Sequence, residues 1–482
     1  MKSSKQFYNR LANIVIALAI AIAVLVGVDV VLPPYVKSTN LTQNIAPSSL
    51  DRIELTFNRT MDRRSVEQAF KLDPPLEGVF LWHNNTVTYQ LENLPPYDQN
   101  IGLTIDSSAR DTNGKSLSQP YATTIQTAPI QILYLGSDPE EADQLILYNP
   151  QTEQKQILTQ PEFAIEQFAE IPNSKDILLL GAYGDNQPEL YRLNPTTGSM
   201  TQLTNDAMHL NNKFTISPTG EHVALSRIQL SETGTYLSNI ELWLASTKDY
   251  QFSKYQPDNA QGSDAYFSFD GSHLLYFNQN YAFELAPISA ESPEESLFIG
   301  KEFNHSYGFH PSKAILLFNN LDNADLFTID NDLILFYGDG SQKMIPFEDG
   351  ITRDSVFTPD GESVISIFSK QDEAMEDPLS FYPLRIFHLY QYNLEDESIT
   401  QLTSDPDFSE EEPTISSNGQ YILFRRFSTN SDEIAIDPAY REIADSLGTI
   451  TSGELWLYDF ANDELVDLGI RGKRAQWYES TE

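Results

Sequence analysis

The chain contains no cysteine. That excludes disulfides, lipid attachment at a cysteine, thiolate zinc centres and cysteine nucleophiles. Basic residues are scarce: 30 Lys and Arg stand against 69 Asp and Glu, a net charge of −39. Residues 1–34 hold Lys2, Lys5 and Arg10 against Asp29, so the negative charge belongs to the remainder. A field of this sign repels phosphate backbones and excludes nucleic acid as a partner. It suits solubility at a crowded or salty surface, with an acidic patch for a cation or basic partner as the alternative. Recognisable catalytic motifs are missing too. There is no Gly-x-Ser-x-Gly elbow and no His-Glu-x-x-His, and the seven histidines are scattered. Gly338-Asp339-Gly340 is a lone turn rather than a phosphate loop. The acidic run Asp405-x-Asp407-x-x-Glu410-Glu411-Glu412 lacks the spacing of a calcium loop and reads as a connection between repeats. The chain therefore reads as a non-enzyme, with no catalytic residue, cofactor or metal assigned.

Long apolar runs are also rare, with one exception. Residues 11–32 are nearly all apolar, and between Ile14 and Val28 no charged or strongly polar residue occurs. A span needs roughly 20 such residues. Lys2, Lys5 and Arg10 precede it, so the positive-inside bias places residues 1–10 in the cytoplasm and everything after residue 32 outside. A cleavable signal peptide is the rival, but Gly27-Val28-Asp29-Val30-Val31-Leu32-Pro33-Pro34 offers no small-x-small cleavage site. The expectation is an uncleaved single-pass anchor in a bacterial cytoplasmic membrane, followed by a linker over 33–45 that Pro33-Pro34 stiffens.

What the rest does contain is short runs of Val, Ile, Leu, Tyr and Phe between clusters of Pro, Gly, Asn and Asp. That is the texture of an all-β protein. Its 482 residues are too many for one ordinary core. Over residues 46–128, Ile53-Glu54-Leu55-Thr56-Phe57 and Thr86-Val87-Thr88-Tyr89-Gln90-Leu91 alternate cleanly. Ile101-Gly102-Leu103-Thr104-Ile105 and Thr123-Thr124-Ile125-Gln126-Thr127 follow. Strands at this spacing predict a small β-sandwich. The residues Ile53-x-Leu55-x-Phe57-Asn58-x-x-Met61-Asp62-x-x-Ser65-Val66, Phe70-x-Leu72-x-Pro74, Gly78-Val79-Phe80-x-Trp82 and Ala109-Arg110-Asp111-x-x-Gly114 resemble the bacterial Ig-like domains first known from surface-layer proteins. The resemblance implies a spacer or adhesive module without catalysis.

Residues 130–482 repeat. An apolar strand, a Pro/Asp/Asn-Gly turn and a second apolar strand recur at Phe214-Thr215-Ile216-Ser217-Pro218-Thr219-Gly220, Phe267-Ser268-Phe269-Asp270-Gly271, Phe357-Thr358-Pro359-Asp360-Gly361 and Ile415-Ser416-Ser417-Asn418-Gly419. Phe309-His310-Pro311-Ser312-Lys313 and Ile171-Pro172-Asn173-Ser174-Lys175 are degenerate copies. A second pattern ends near Leu-Thr, as at Leu158-Thr159, Leu203-Thr204 and Leu402-Thr403. Together they make a four-stranded unit that must stack on its neighbours to bury both faces. The repeat resembles that of TolB-like β-propellers, with its Ser-Pro-Asp-Gly turn between the first two strands. Residues 130–159 lack a first strand and Ala475-Gln476-Trp477-Tyr478 supplies one, so a C-terminal strand is expected to close the ring. Seven blades follow, with six or eight left open by an irregular stretch over 290–350. Propellers of this kind also precede the hydrolase domain of prolyl-oligopeptidase-like peptidases; no such domain follows residue 482 in this sequence.

Long insertions at 228–239, 370–386 and 427–453 all fall between second and third strands, hence on one face. They carry Tyr236, Phe381, Tyr382, Arg385, Tyr440 and Arg441, residue types that protein interfaces favour. This is the candidate partner-binding face, for an envelope protein or a cell-wall polymer. The functional expectation is a membrane-anchored, non-enzymatic cell-envelope protein. The alternatives are a polysaccharide-active lyase or hydrolase with its site in the propeller channel, and an accessory subunit of an envelope secretion or transport complex.

Overall fold

The computed structural model describes residues 33–41, 45–184, 186–205, 210–230, 236–255, 260–278, 280–303, 305–325, 328–347, 350–370, 374–375, 384–428 and 453–479. The chain divides into two compact units between Ala128 and Pro129. The expected anchor over 11–32 lies outside the described residues; among those described, no helix is long and apolar enough to cross a membrane.

The N-terminal unit is two antiparallel sheets around one core. The first has the order Val36–Thr39, Arg52–Phe57, Thr86–Leu91, Gly78–His83. The second has Phe70–Asp73, Asn100–Ile105, Tyr121–Gln126. The period-two alternation points Ile53, Leu55, Phe57 and Val87 inward, where they meet Ile101, Leu103, Ile105 and Ile125. One feature is new relative to the strand pattern: a short helix, Arg63–Ala69, follows Met61. Asp62 caps it, accepting from Ser65 N–H at 3.1 Å. The Asp111-x-x-Gly114 motif also acquires a cause. Asp111 accepts from the backbone N–H of Asn113 (2.9 Å) and Lys115 (2.8 Å) and from Arg59 (3.3 Å), while Gly114 sits at φ 81°. Burial alone would push the Asp111 carboxyl up, but these donors outweigh it and hold the group below its ordinary range.

In the second unit the described strands fall into seven four-stranded sets. The innermost strands of the first six are Phe163–Glu170, Leu210–Ile216, Ala260–Phe267, His305–Phe309, Gly350–Phe357 and Phe408–Ile415. Each contacts the innermost strand of the next set, as the blades of a propeller do. The seventh set is composite. The strand Glu464–Trp477 is outermost in the sixth blade through its first half, pairing Tyr458 with Leu465. Through its second half it is innermost in the seventh, pairing Trp477 with Ile132. Ile132–Gly136, Leu145–Asn149 and Gln154–Ile157 complete that blade. Neighbouring sheets bury their faces against each other: Ile365, Ile367 and Leu389 of one blade pack on Ile422 and Phe424 of the next.

The repeated motifs are local hydrogen-bond devices. In the turn, Ser217 Oγ accepts from His222 N–H at 3.0 Å and Gly220 N–H reaches Ser217 O at 2.8 Å. Gly220, Gly271, Gly361 and Gly419 all lie near φ 70°, which a Cβ disfavours. In the degenerate fourth blade His310 takes the serine's place. It is fully buried; Nδ1 accepts from Ser312 and Lys313 N–H (3.1 Å each), and Nε2 lies 2.9 Å from Gly361 O of the next blade. The Leu-Thr ending ties the fourth strand to the third. Thr159, Thr204 and Thr403 each accept from the N–H of Leu145, Leu190 and Leu389 at 2.9 Å.

Two expectations are corrected. The acidic run is no connecting loop: its second half lies in the strand Phe408–Ile415, where Glu410 and Glu411 are buried. Their charge is offset by arginines from the adjacent strand, which the sequence pattern did not reveal. The irregular stretch over 290–350 is a complete blade whose second and third strands, Ile315–Asp325 and Thr328–Tyr337, form a long hairpin. The degenerate turn at Phe309–Lys313 marks this blade, while the polar residues farther along the hairpin left the blade number open.

One blade departs from the repeat. Position 170, just before the turn, is Glu where the equivalent residues are Ile216, Phe267, Phe309, Phe357 and Ile415. Enclosure pushes the Glu170 carboxyl up to about 8, helped by the charge of Glu479, although Glu479 N–H donates to it at 2.8 Å.

Candidate functional site

Every innermost strand has a break in register at nearly the same depth. The breaks lie between Ile165 and Gln167, Asn211 and Phe214, Gln261 and Ala265, Ser306 and Gly308, Thr352 and Ser355, Glu411 and Thr414, and Lys473 and Gln476. A bulge leaves residues unpaired and re-aims their side chains. The turns supply a common ruler. The backbone N–H of Ile171, Ser217, Ser268, His310, Thr358 and Ser416 each closes the first hairpin of its blade, and that of Tyr478 takes the same place by reaching Gln131 O from the closing strand. Four residues before these stand Gln167, Lys213, Asp264, Ser306, Asp354, Glu412 and Arg474. The ring position is thus occupied by charged or polar residues in all seven blades.

Two cavities of about 430 Å³ each open on this ring and share Gln167 and Arg474. That volume falls in the range of small-molecule sites, roughly 300–1,000 Å³. Lys213, Glu166, Tyr266 and His305 line the first; Asp354, Glu412, Tyr307 and Thr414 line the second. Arg474, in the left-handed region at φ 54°, is fixed by its neighbours. Its N–H donates to Glu412 Oε2 at 2.7 Å and its guanidinium donates to Glu166 O. Enclosure, then the charges of Glu412 and Glu411, push the Asp354 carboxyl up. Burial pushes Glu166 up, with Arg474 pulling the other way, and pushes the Tyr307 hydroxyl up to about 12. Among the described residues Glu166 Oε2 and Thr414 Oγ1 have no hydrogen-bond partner.

Behind the ring, Glu411 bridges Arg353 (3.3 Å) and Arg425 (3.0 Å). Deeper still, Glu410 is fully buried. It accepts from Arg426 Nε (3.2 Å) and Thr403 (3.1 Å), and its Oε2 lies 2.9 Å from His388 Nδ1. The Arg426 guanidinium stacks on Phe408 and Trp456, 4.0 and 4.8 Å from the ring centres. His388 occupies the place held by Gln144 and Glu189 in other blades, beside the Leu-Thr tie, so its position in the repeat is structural.

Of the predicted partner-binding face, Phe381, Tyr382, Tyr440 and Arg441 lie outside the described residues. Tyr236 and Arg385 are described in backbone only, at the start of Tyr236–Ser246 and in the short strand Leu384–Arg385, which pairs with Ala374–Met375. The bulge ring was not anticipated. Its signal is the residue four positions before the turn serine, visible only once the blades are in register.

No protein-family model matches the chain, and no curated protein matches its sequence. Several solved structures resemble it at low identity. TolB from Acinetobacter baumannii is 15% identical over 72% of this chain and 66% of that one, with a TM-score of 0.39. Oligogalacturonate lyase from Vibrio parahaemolyticus is 12% identical over 70% of this chain and 84% of that one, with a TM-score of 0.47. The β-propeller domain of the Trilobed protease from Pyrococcus furiosus is 15% identical over 64% and 84%, with a TM-score of 0.42. These neighbours are of more than one functional kind, so the likeness is one of fold and carries no activity.

Proposed function

We propose that this chain is a membrane-anchored, non-enzymatic protein of a bacterial cell envelope. Residues 11–32 hold it in the cytoplasmic membrane, the N-terminal unit acts as an Ig-like spacer, and the propeller binds another protein or a wall polymer. The observation that carries the binding role is the bulge ring. Seven blades carry a polar residue at one ring position, and those of five of them, Gln167, Lys213, Asp354, Glu412 and Arg474, line two cavities. Their charges are tied into the framework: Arg474 is held by Glu412 and Glu166, and Glu411 by two arginines. Such an arrangement positions a ligand without needing to move protons.

The test uses the full chain in detergent micelles with purified cell-wall sacculi and with solubilised envelope protein. Co-sedimentation or co-elution should be strong for the native chain and lost on Arg474→Glu or Lys213→Glu. Retention unaffected by either change would overturn a channel site. Protease added to intact spheroplasts should digest the propeller; digestion only after lysis would overturn the orientation. A second reading, a lyase or hydrolase acting on polysaccharide in the channel, is favoured by one observation. Asp354 and Glu166 both hold protons above the ordinary carboxyl range, beside Arg474. Release of new reducing ends or of unsaturated sugars from wall or capsule polymers, abolished by Asp354→Asn, would replace the first reading with this one.

A further inference from the structure

The ring is not merely polar; its charges are sorted. Arg474 and Lys213 flank Gln167 across three consecutive blades, the seventh, first and second. Asp354 and Glu412 stand together on the fifth and sixth. Arg474 and Lys213 line one cavity, while Asp354 and Glu412 line the other together with Arg474. The ring positions place two cations, Arg474 and Lys213, on one arc and two carboxyls, Asp354 and Glu412, on another, although Glu166 also lines the first cavity and Glu412 Oε1 already lies 3.3 Å from Arg425. Asp264 occupies the corresponding place in the ladder of the third blade.

Consider what such a ring accepts. A simple anion gains from Arg474 and Lys213 but must share the opening with Asp354 and Glu412. A simple cation meets the reverse conflict. A ligand carrying one charge of each sign gains on both arcs, and either wrong orientation is repelled. The aromatic walls Tyr266, His305 and Tyr307 offer apolar faces between the two arcs. The overall charge of −39 works against anions outside the channel, so the cationic arc is a local exception and needs a reason.

We infer that the propeller channel recognises a short zwitterionic peptide, its ammonium group on the Asp354–Glu412 arc and its carboxylate on the Arg474–Lys213 arc. This rests on the reading of the channel as the binding site and narrows it. Such a peptide reaches the envelope in two forms, free or as the peptide branch of a wall polymer. Both present the same charges to the ring.

The experiment is calorimetric titration of the full chain in micelles with alanyl-alanine, its N-acetyl derivative and its C-terminal amide, with intact sacculi sedimented in parallel. The dipeptide is expected to bind at sub-millimolar concentration, and each blocking group to weaken it at least tenfold. Arg474→Gln should weaken the dipeptide but erase the penalty of the amide, since the carboxylate has lost its partner. Asp354→Asn should do the same for the N-acetyl form. Lys213→Gln, at an exposed side chain, repeats the first test should Arg474→Gln fail to fold. Binding of the dipeptide without sacculi assigns free peptide as the source; binding of both assigns the wall branch as well. Equal binding of blocked and unblocked peptides overturns the inference. So does binding of sacculi alone in a manner sensitive to Arg474→Gln, which leaves the channel site standing. Failure of every probe, together with no co-elution of solubilised envelope protein, overturns both readings; failure of the probes alone overturns the peptide inference.

Discussion

Replacing Glu170 by Gln should stabilise the protein, and should do so only above acid pH. Glu170 is a carboxyl in a place that five other blades fill with Ile or Phe. Its pKa is raised from 4.5 to about 8 by enclosure and by Glu479. The sign follows by linkage. Below about pH 4.5 the group is protonated in both the folded and unfolded states and costs nothing. Between there and about pH 8 folding must take up a proton, so stability falls as pH rises, by about 1.4 kcal/mol per unit at most. At pH 7 the accumulated cost has a ceiling of about 3 kcal/mol. Glutamine keeps the acceptor for Glu479 N–H and has no charge to hide. Urea unfolding followed by tryptophan fluorescence should therefore show the two proteins alike at pH 4 and separating progressively up to pH 8. A constant difference across that range would refute the reasoning, as would a variant less stable than the parent at pH 8.

Further outcomes follow from other packing. Gly361→Ala combines a left-handed backbone with a Cβ driven into the His310 ring. It should cost about 2 kcal/mol in the same assay, and His310→Ala should recover part of the loss in the double variant. Arg426→Met leaves Glu410 buried beside His388 with its cation gone. A loss of about 3 kcal/mol is expected, and Glu410→Gln in the same chain should restore stability toward the parent. In the N-terminal unit Asp111→Ala strands three donors and should cost about 2 kcal/mol, read from the emission of Trp82. Because the Asp111 carboxyl is held low, its contribution is present at neutral pH and is lost only as pH falls through the acid range.

The features that could be read in the sequence are those set by neighbours along the chain. The turn glycines, the alternating strands Arg52–Phe57 and Thr86–Leu91, and the Leu-Thr ties are all local hydrogen-bond or period-two patterns. Trp477 announced itself as part of a first strand without a second, and it pairs with Ile132. What escaped was set by distant residues. Glu410 and Glu411 look solvated until Arg425 and Arg426 are placed beside them. The ring position holds Gln, Lys, Asp, Ser, Asp, Glu and Arg in turn, with no chemical type to repeat. Only its distance from the turn is constant, and that distance acquires meaning when strands are laid side by side. The far part of the hairpin formed by Ile315–Asp325 and Thr328–Tyr337 escaped for a different reason: its polar residues lack the apolar alternation that marks a half-buried strand.

Glu464–Trp477 serves two blades at once, and this has a consequence for synthesis. Arg474 meets Glu166 across 308 residues of chain. During synthesis the cationic arc is therefore incomplete until almost the whole second unit has been made, and an interrupted chain carries its carboxyls without Arg474. Arg474 and ring closure are thereby supplied together, by the same fourteen residues. A prematurely terminated product would be both unsealed, with the apolar face of Ile132–Gly136 bare for proteolysis, and without Arg474 in its ring. The architecture makes completeness a condition of service.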